Sequence, residues 1–145
     1  MSADHPIPAT LPASGHARID PNHPCLFCHL PADRIVAETP NLVAIRDGFP
    51  VSTGHTLLIP RRHVASFRDL APAEWADVLA LARDLSAELQ ASDPSITGFN
   101  LGINDGAVAG QSIFHCHIHL IPRRTGDHPH PRGGVRGVIP AKQGY

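Results

Sequence analysis

The segment HCHIHLIPRR (115–124) places three histidines on alternate positions, with apolar residues between and after them. In a β-strand alternate side chains share a face and lie about 6.6 Å apart, so the histidines point one way and the residues between them point towards a core. Zinc needs its ligand atoms about 2.1 Å from one centre, whereas His115 and His119 would lie about 13 Å apart on an extended strand. We therefore expect the three imidazoles to perform different tasks; the alternative is the polar, solvent-facing side of an ordinary strand.

A glycine-rich loop, NDGAVAGQS (104–112), precedes the histidines. Glycines at 106 and 110 let the backbone approach an anion closely, and Ser112 adds a hydroxyl group. An ordinary hairpin turn would explain the glycines alone. Because a row of histidines follows directly, phosphate binding is the better interpretation.

The pair Cys25-x-x-Cys28 has the spacing of zinc ligands, but it supplies only half of a tetrahedral site. A redox pair and two buried thiols are the alternatives. Cys116 alternates with the histidines and is interpreted as a small core residue.

Length and composition narrow the class of protein. The 145 residues predict one domain, and a formal net charge of −1 gives no sign of a nucleic-acid or membrane surface. No segment reaches the roughly 20 apolar residues that cross a bilayer, and the N-terminus lacks the pattern of a signal peptide. We therefore expect a cytoplasmic protein without a nucleic-acid or membrane partner.

The elements that must position these residues can be read from periodicity. Strands are predicted at 34–38, 41–47, 55–60, 97–104 and 112–122, and one helix is predicted over about 72–90. Its apolar stripe comprises Trp75, Val78, Leu79, Ala82, Leu85 and Leu89. This pattern predicts an α+β domain with an antiparallel sheet, preceded by a loosely ordered arm (1–22) and followed by a Gly/Pro-rich tail (125–145).

The motif GQSIFHCHIHLIPR (110–123) resembles the signature of the histidine triad (HIT) superfamily. The resemblance extends to CLFC (25–28), AIRDGFPVSTGHTLLIPRRHV (44–64) and FNLGINDGAVAGQS (99–112), in the same order. Members of that superfamily are nucleotide hydrolases and transferases that act at the α-phosphate. The resemblance implies a HIT domain at 23–124 with about five antiparallel strands and one long helix, paired into a homodimer.

The resemblance also implies roles for individual residues. His117 would be the nucleophile that forms a covalent nucleotidyl-histidine, and His119 would bind an α-phosphate oxygen or the bridging position. Asp47 would accept hydrogen bonds from ribose hydroxyls, although a turn residue before Gly48 is the alternative. The remaining residues expected near the phosphate or the leaving group are His55, Asn104, Gly110, Gln111 and Ser112. The candidates for the base pocket are Leu26, Phe27, Ile45 and Leu57.

One branch of the family completes the CxxC pair with two histidines, which correspond here to His63 and His115. A closed Cys2His2 set would hold a structural Zn²⁺ and would exclude His115 from catalysis. His23 and His29 are lower-ranked alternatives to His63.

The expected substrate is a purine nucleotide derivative, either a nucleoside phosphoramidate or a diadenosine polyphosphate. His119 argues against the uridylyltransferase branch, which has glutamine there, and the absence of a basic stripe weakens a deadenylase role. A zinc-stabilised nucleotide sensor with little turnover is the competing class. In the tail, Arg132 and Arg136 are expected either to hold distal phosphates or to pack on a partner subunit.

Overall fold

The computed structural model describes residues 25–145, so the predicted arm at 1–22 and the alternative ligand His23 lie outside the described residues. Five strands form one antiparallel sheet in the order β1-β2-β3-β5-β4. Their bounds are β1 Ile35–Glu38, β2 Leu42–Arg46, β3 Thr56–Pro60, β4 Ile96–Ile103 and β5 Ile118–Arg124. The predicted α+β architecture, with five antiparallel strands and one long helix, is confirmed.

Each face of the sheet buries its own apolar cluster, as expected for strands whose side chains alternate. One face packs against the helix and contains Leu42, Leu58, Cys116, Ile118 and Leu120. Cys116 is 1% exposed there, so its interpretation as a core residue is confirmed. The opposite cluster brings the segment after Cys25 onto the sheet, and it contains Phe27, Leu30, Val43, Ile45, Leu57 and Ile59.

Helix α1 spans Pro72–Ser92, two residues longer than predicted. The Glu74 carboxylate accepts the Ala71 N–H at 3.1 Å and pairs with Arg62 at 2.7 Å, which stabilises the helix start. The prediction that Leu79 faces the core is wrong, because this side chain is 66% exposed and Leu81 is buried in its place. Among the described residues, no helix is long and apolar enough to cross a membrane.

Strand β5 differs from the predicted range of 112–122, since it begins at Ile118 and ends at Arg124. The residues just before Ile118 do not continue the strand, because the Cys116 N–H donates instead to the Val64 carbonyl at 2.6 Å. Pairing with β3 reaches only as far as Leu120, so Pro122 has a partner strand on one side alone and does not end the strand.

Candidate active site and metal centre

His55 and His119 form a hydrogen-bonded pair whose protonation is fixed by the backbone. The Val51 N–H donates to His55 Nδ1 at 3.2 Å, so the proton of neutral His55 resides on Nε2. That Nε2 lies 2.9 Å from His119 Nδ1, which must therefore accept. The proton of His119 is left on Nε2, a buried atom without a hydrogen-bond partner among the described residues. His119 thus presents a donor that a ligand can satisfy.

Both rings of this pair are neutral near pH 7. Burial is the main cause that lowers the pKa of His119, to about 4, and the nearby His117 and His55 rings lower it further. Burial also lowers the pKa of His55, while Asp47 opposes that shift. The unpartnered Nε2–H of His119 is consequently a neutral donor.

His117 has the opposite tautomer. Its Nδ1 lies 2.8 Å from the His115 carbonyl oxygen, which can only accept, so Nδ1 carries the proton and Nε2 carries a lone pair. Burial lowers the pKa of His117 and keeps the ring neutral. The ring centroids of His117 and His119 are 5.1 Å apart, and Phe27 packs edge-on against His117 at 5.0 Å. A nucleophilic nitrogen and a donor nitrogen therefore come from neighbouring rings.

His115 faces a different group of side chains. Its ligand atom and those of Cys25, Cys28 and His63 all lie within 4.8 Å of one another. Nδ1 of His115 is 3.3 Å from the Cys25 sulfur and 3.4 Å from the Cys28 sulfur, and His63 Nδ1 is 3.1 Å from Cys28. The residues that the resemblance assigned to zinc are thus brought together.

The donor set fits a tetrahedral metal ion. Zinc bonds of about 2.3 Å to sulfur and 2.1 Å to nitrogen place such ligand atoms about 3.6 Å apart, slightly more than these distances. His115 Nε2 lies 2.7 Å from the Pro60 carbonyl, which fixes the proton there and leaves a lone pair on Nδ1. Burial and the neighbouring Cys25 raise the pKa of the Cys28 thiol to about 12, which disfavours the thiolate. A cation between the two sulfurs would stabilise the thiolate.

A second group, Asp47, His55 and His119, also places its ligand atoms within 4.8 Å of one another. Tautomer chemistry argues against a metal ion there. Nε2 of His55 could bind a cation only if Nδ1 carried the proton, but Nδ1 faces the Val51 N–H. We therefore interpret this group as a hydrogen-bond relay.

The loop between β4 and the histidines is held together by Gln111. Its amide nitrogen donates to the Ala65 carbonyl at 2.9 Å and to the Ile113 carbonyl at 3.1 Å, and its amide oxygen accepts the Gly106 N–H at 2.8 Å. Gly106 and Gly110 adopt φ angles of 92° and 91°, which favour glycine. The N–H of Gly110 donates to the Ala107 carbonyl within the loop. The Gln111 amide and the Gly110 N–H, which were expected to contact phosphate, thus form hydrogen bonds that stabilise the loop.

Comparison with known proteins shows the family of this chain. The sequence model of the HIT domain family matches residues 31–126. The chain belongs to the HIT domain family. A crystal structure of a zinc-bound histidine triad family protein from Mycobacterium smegmatis is 38% identical, has a TM-score of 0.64, and is matched over 71% of this chain and 77% of its own.

Two relatives with named activities share the family. The adenylylsulfatase HINT3 of Arabidopsis thaliana is 33% identical over 126 residues, which are 79% of this chain and 61% of the relative. The asymmetrical bis(5'-nucleosyl)-tetraphosphatase of Schizosaccharomyces pombe is 38% identical over 78 residues, which are 54% of this chain and 42% of the relative.

The remaining residues to which the HIT resemblance gave a role are Asp47, Ser112 and the base-pocket candidates. Asp47 accepts the Phe49 N–H at 2.9 Å, as a turn residue would, while its second oxygen lies 3.4 Å from His55 Nε2. Ser112 is exposed. Of the base-pocket candidates, Phe27, Ile45 and Leu57 are buried in one cluster, and Leu57 pairs with His119 across the sheet.

Beyond the HIT signature, a cavity of about 740 Å³ is lined by His55, Asn104 and His119 together with residues of the tail. Arg132 and Arg136 do not line it; their guanidinium groups lie over the Tyr145 ring, 4.7 Å and 5.0 Å from its centroid. This geometry speaks against the expectation that they hold distal phosphates. Sequence reasoning missed the Val51 N–H and the Pro60 carbonyl, because backbone groups leave no signal in residue type.

Proposed function

We propose that the protein hydrolyses purine nucleotide derivatives at the α-phosphate through a covalent nucleotidyl-histidine intermediate at His117. The observation that carries this proposal is the pair of complementary tautomers, with a lone pair on Nε2 of His117 and a proton on Nε2 of the adjacent His119. A phosphorus centre between the two rings would meet a nucleophile on one side and a donor for its oxygens on the other.

The reaction proceeds in two balanced steps. In the first, the His117 Nε2 lone pair forms a bond to the α-phosphorus, and the leaving group departs with the electron pair of its own bond and takes one proton from solvent. In the second, water attacks the phosphorus, the P–Nε2 bond breaks and its electron pair returns to His117. The water gives up one proton, and a nucleoside monophosphate is released.

His119 stabilises charge on the phosphate in both steps without changing its protonation. Since burial lowers the pKa of His119 to about 4, its neutral ring donates from Nε2 at physiological pH. His55 holds the His119 ring in this orientation, because its Nε2–H donates to Nδ1 of His119 at 2.9 Å. His55 is thus a positioning residue, and Gln111 has the same status for the phosphate-side loop.

Zinc would be held by Cys25, Cys28, His63 and His115 in a closed, structural site. Bound there, it supplies folding energy and leaves no open position for a substrate. The His115 carbonyl oxygen accepts the Nδ1–H of His117 at 2.8 Å, so the residue that binds the metal also orients the nucleophile. The zinc-bound relative from M. smegmatis supports this proposal.

The two named enzymes support nucleotide hydrolysis, because both names describe reactions on nucleotide derivatives. The decisive experiment measures release of nucleoside monophosphate from adenosine 5′-phosphoramidate. His117→Ala should abolish turnover and the adduct seen by mass spectrometry after acid-free quenching. His130→Ala, at an exposed histidine outside the cavity, should behave as wild type. Binding without turnover by the wild-type protein would instead support the nucleotide-sensor alternative.

We also propose a homodimer formed through β4 and the neighbouring face of α1. Among the described strands β4 pairs only with β5, so its other edge offers unpaired backbone groups. Leu101 on this strand is 44% exposed and Leu79 on α1 is 66% exposed. Sedimentation should give a dimer for the wild-type protein and a monomer for Leu79→Glu.

A further inference from the structure

The tautomers of the His55–His119 pair depend on a backbone donor, the Val51 N–H, which lies 3.2 Å from His55 Nδ1. If that donor moved away, His55 could carry its proton on Nδ1, and its Nε2 would then accept from Nδ1 of His119. His119 would be left with a lone pair on Nε2 and would repel a phosphate oxygen instead of donating to it. The position of the Val51 peptide therefore matters for the group that His119 presents.

The Val51 N–H is held in place by the next residue. The Val51 side chain is 73% exposed, so its own packing does not hold the peptide. Ser52 Oγ donates to the Pro122 carbonyl at 2.6 Å and accepts from Arg124 Nη1 at 2.9 Å, so the hydroxyl group acts as donor and acceptor at once. Both partners belong to β5, the strand that carries His119. The turn that supplies the N–H is thereby fixed relative to that strand.

Arg124 connects this turn to the end of α1. Its Nη2 donates to the Thr53 carbonyl at 3.0 Å and pairs with Asp93 Oδ2 at 2.7 Å. Asp93 follows the last residue of α1, and its other oxygen accepts the Ser95 N–H at 3.0 Å. An isolated ion pair at the surface contributes little, but this guanidinium group is shared by a network of partners and its side chain is only 23% exposed.

The same turn also contacts the backbone of His55. The Ser52 carbonyl accepts the His55 N–H at 2.9 Å. Gly54 has a φ of 93°, and a Cβ there would lie 3.1 Å from Leu89 and 3.2 Å from Pro122, so the turn packs closely against α1 and β5. Ser52 thus binds the backbone of His55, while the preceding peptide binds the ring of the same residue.

We infer that Ser52 and Arg124 are positioning residues for the phosphate-binding pair: they hold the Val51 N–H against His55 and so keep the proton of His119 on Nε2. The effect on catalysis rests on the proposed hydrolysis at the α-phosphate, whereas the effect on the tautomers does not. Neither residue touches the reacting atoms, and each acts through the Val51 peptide.

The tautomers can be measured directly. Heteronuclear NMR of histidine-labelled protein at neutral pH distinguishes a ring nitrogen that carries a proton from one that carries a lone pair, and His55→Asn and His119→Asn assign the signals. In the wild-type protein both rings should carry the proton on Nε2. Ser52→Ala and Arg124→Gln should each move part of the His55 population to the Nδ1 tautomer. We expect a mixture, because Asp47 Oδ2, 3.4 Å from His55 Nε2, favours a proton there.

Turnover of adenosine 5′-phosphoramidate should follow the tautomers. In both variants kcat/KM should fall about threefold, in proportion to the fraction of His55 that keeps its proton on Nε2. Ser52→Thr keeps the hydroxyl group and should restore both readouts. The matched control is Ser86→Ala, which removes a hydroxyl group that donates to a carbonyl at 2.8 Å on α1 and should leave both readouts as in wild type.

Wild-type tautomers in Ser52→Ala and Arg124→Gln would overturn the inference, whatever happens to their melting temperatures, since the two residues would then only fasten a turn. Arg124→Gln reaches the turn from its other end, so it still decides the question if Ser52→Ala does not fold. Altered tautomers with unchanged kcat/KM would overturn the positioning role. No turnover by the wild-type protein would overturn the proposed hydrolysis, and the tautomers would still decide whether Ser52 and Arg124 hold the pair.

Discussion

Acid should destabilise this protein through His119, whose pKa is lowered by burial from 6.5 to about 4. Between these two values the unfolded chain binds a proton that the folded state does not, so the free energy of unfolding falls as pH falls. The difference corresponds to roughly 3 kcal/mol in total, of which about 2.5 kcal/mol should be lost between pH 7.5 and pH 4.5. The contribution is fully present above pH 6.5.

The variant His119→Asn removes this titration and keeps an oxygen near the position of Nδ1, where it can accept from His55. Urea unfolding at pH 7.5 and pH 4.5, followed by circular dichroism, gives the loss of stability for each protein. The wild-type protein should lose about 2.5 kcal/mol more than the variant over this interval. Any zinc that is bound would be lost at low pH from both proteins, so its effect cancels in the comparison.

The matched control is His130→Asn, an exposed histidine for which wild-type acid sensitivity is expected. Equal losses of stability in the wild-type protein and in His119→Asn would refute the reasoning. The ring would then be protonated in the folded state, and the neutral-donor role of His119 would have to be abandoned.

Three further perturbations test the metal centre, the loop and the tail. Metal analysis should find about one zinc per chain, and Cys28→Ala should release it and lower the melting temperature, because binding at a closed site contributes folding energy; zinc-free wild-type protein, prepared without chelator, would contradict this. Gln111→Ala should lower the free energy of unfolding in urea by about 1–3 kcal/mol, because it leaves the Gly106 N–H and two carbonyls without their partner. A change below about 0.5 kcal/mol would show that the loop does not depend on Gln111. Gly133→Ala should increase proteolysis of the tail, because its Cβ would collide with the Gln143 carbonyl. Unchanged cleavage would show that this close contact does not hold the tail in place.

The elements with regular apolar periodicity were predictable from the sequence. The five strands lie within a few residues of their predicted positions, apart from the start of β5, and helix α1 begins at Pro72 as its helix-start signals indicate. Leu79 and Leu81 show where the predicted stripe was placed wrongly. At about 100° per residue Leu81 lies about 40° from Leu85 around the helix, whereas Leu79 lies about 100° from Val78, and the structure buries Leu81 and exposes Leu79.

The roles of polar residues were harder to predict, because residue type does not specify a partner. Gln111 and Gly110 belong to a signature associated with phosphate, yet their polar groups bind backbone groups of the protein, in the loop and at Ala65. Arg132 and Arg136 have the chemistry of phosphate ligands, but both guanidinium groups lie over the aromatic ring of Tyr145 at the far end of the tail. Such pairings depend on tertiary contacts that spacing does not encode.

His115 and His117 explain why the histidines alternate. A two-residue step turns one ring towards the cysteines and the other towards His119, and it leaves the carbonyl of the first residue beside the Nδ1 of the second. The ring of His115 thus contacts the cysteines, and its backbone carbonyl fixes the tautomer of His117. Under the proposed function, replacing the His115 ring would disturb the metal centre, and a shift of its peptide would change the orientation of the His117 ring. Metal binding and the orientation of the proposed nucleophile would therefore be coupled through one peptide unit.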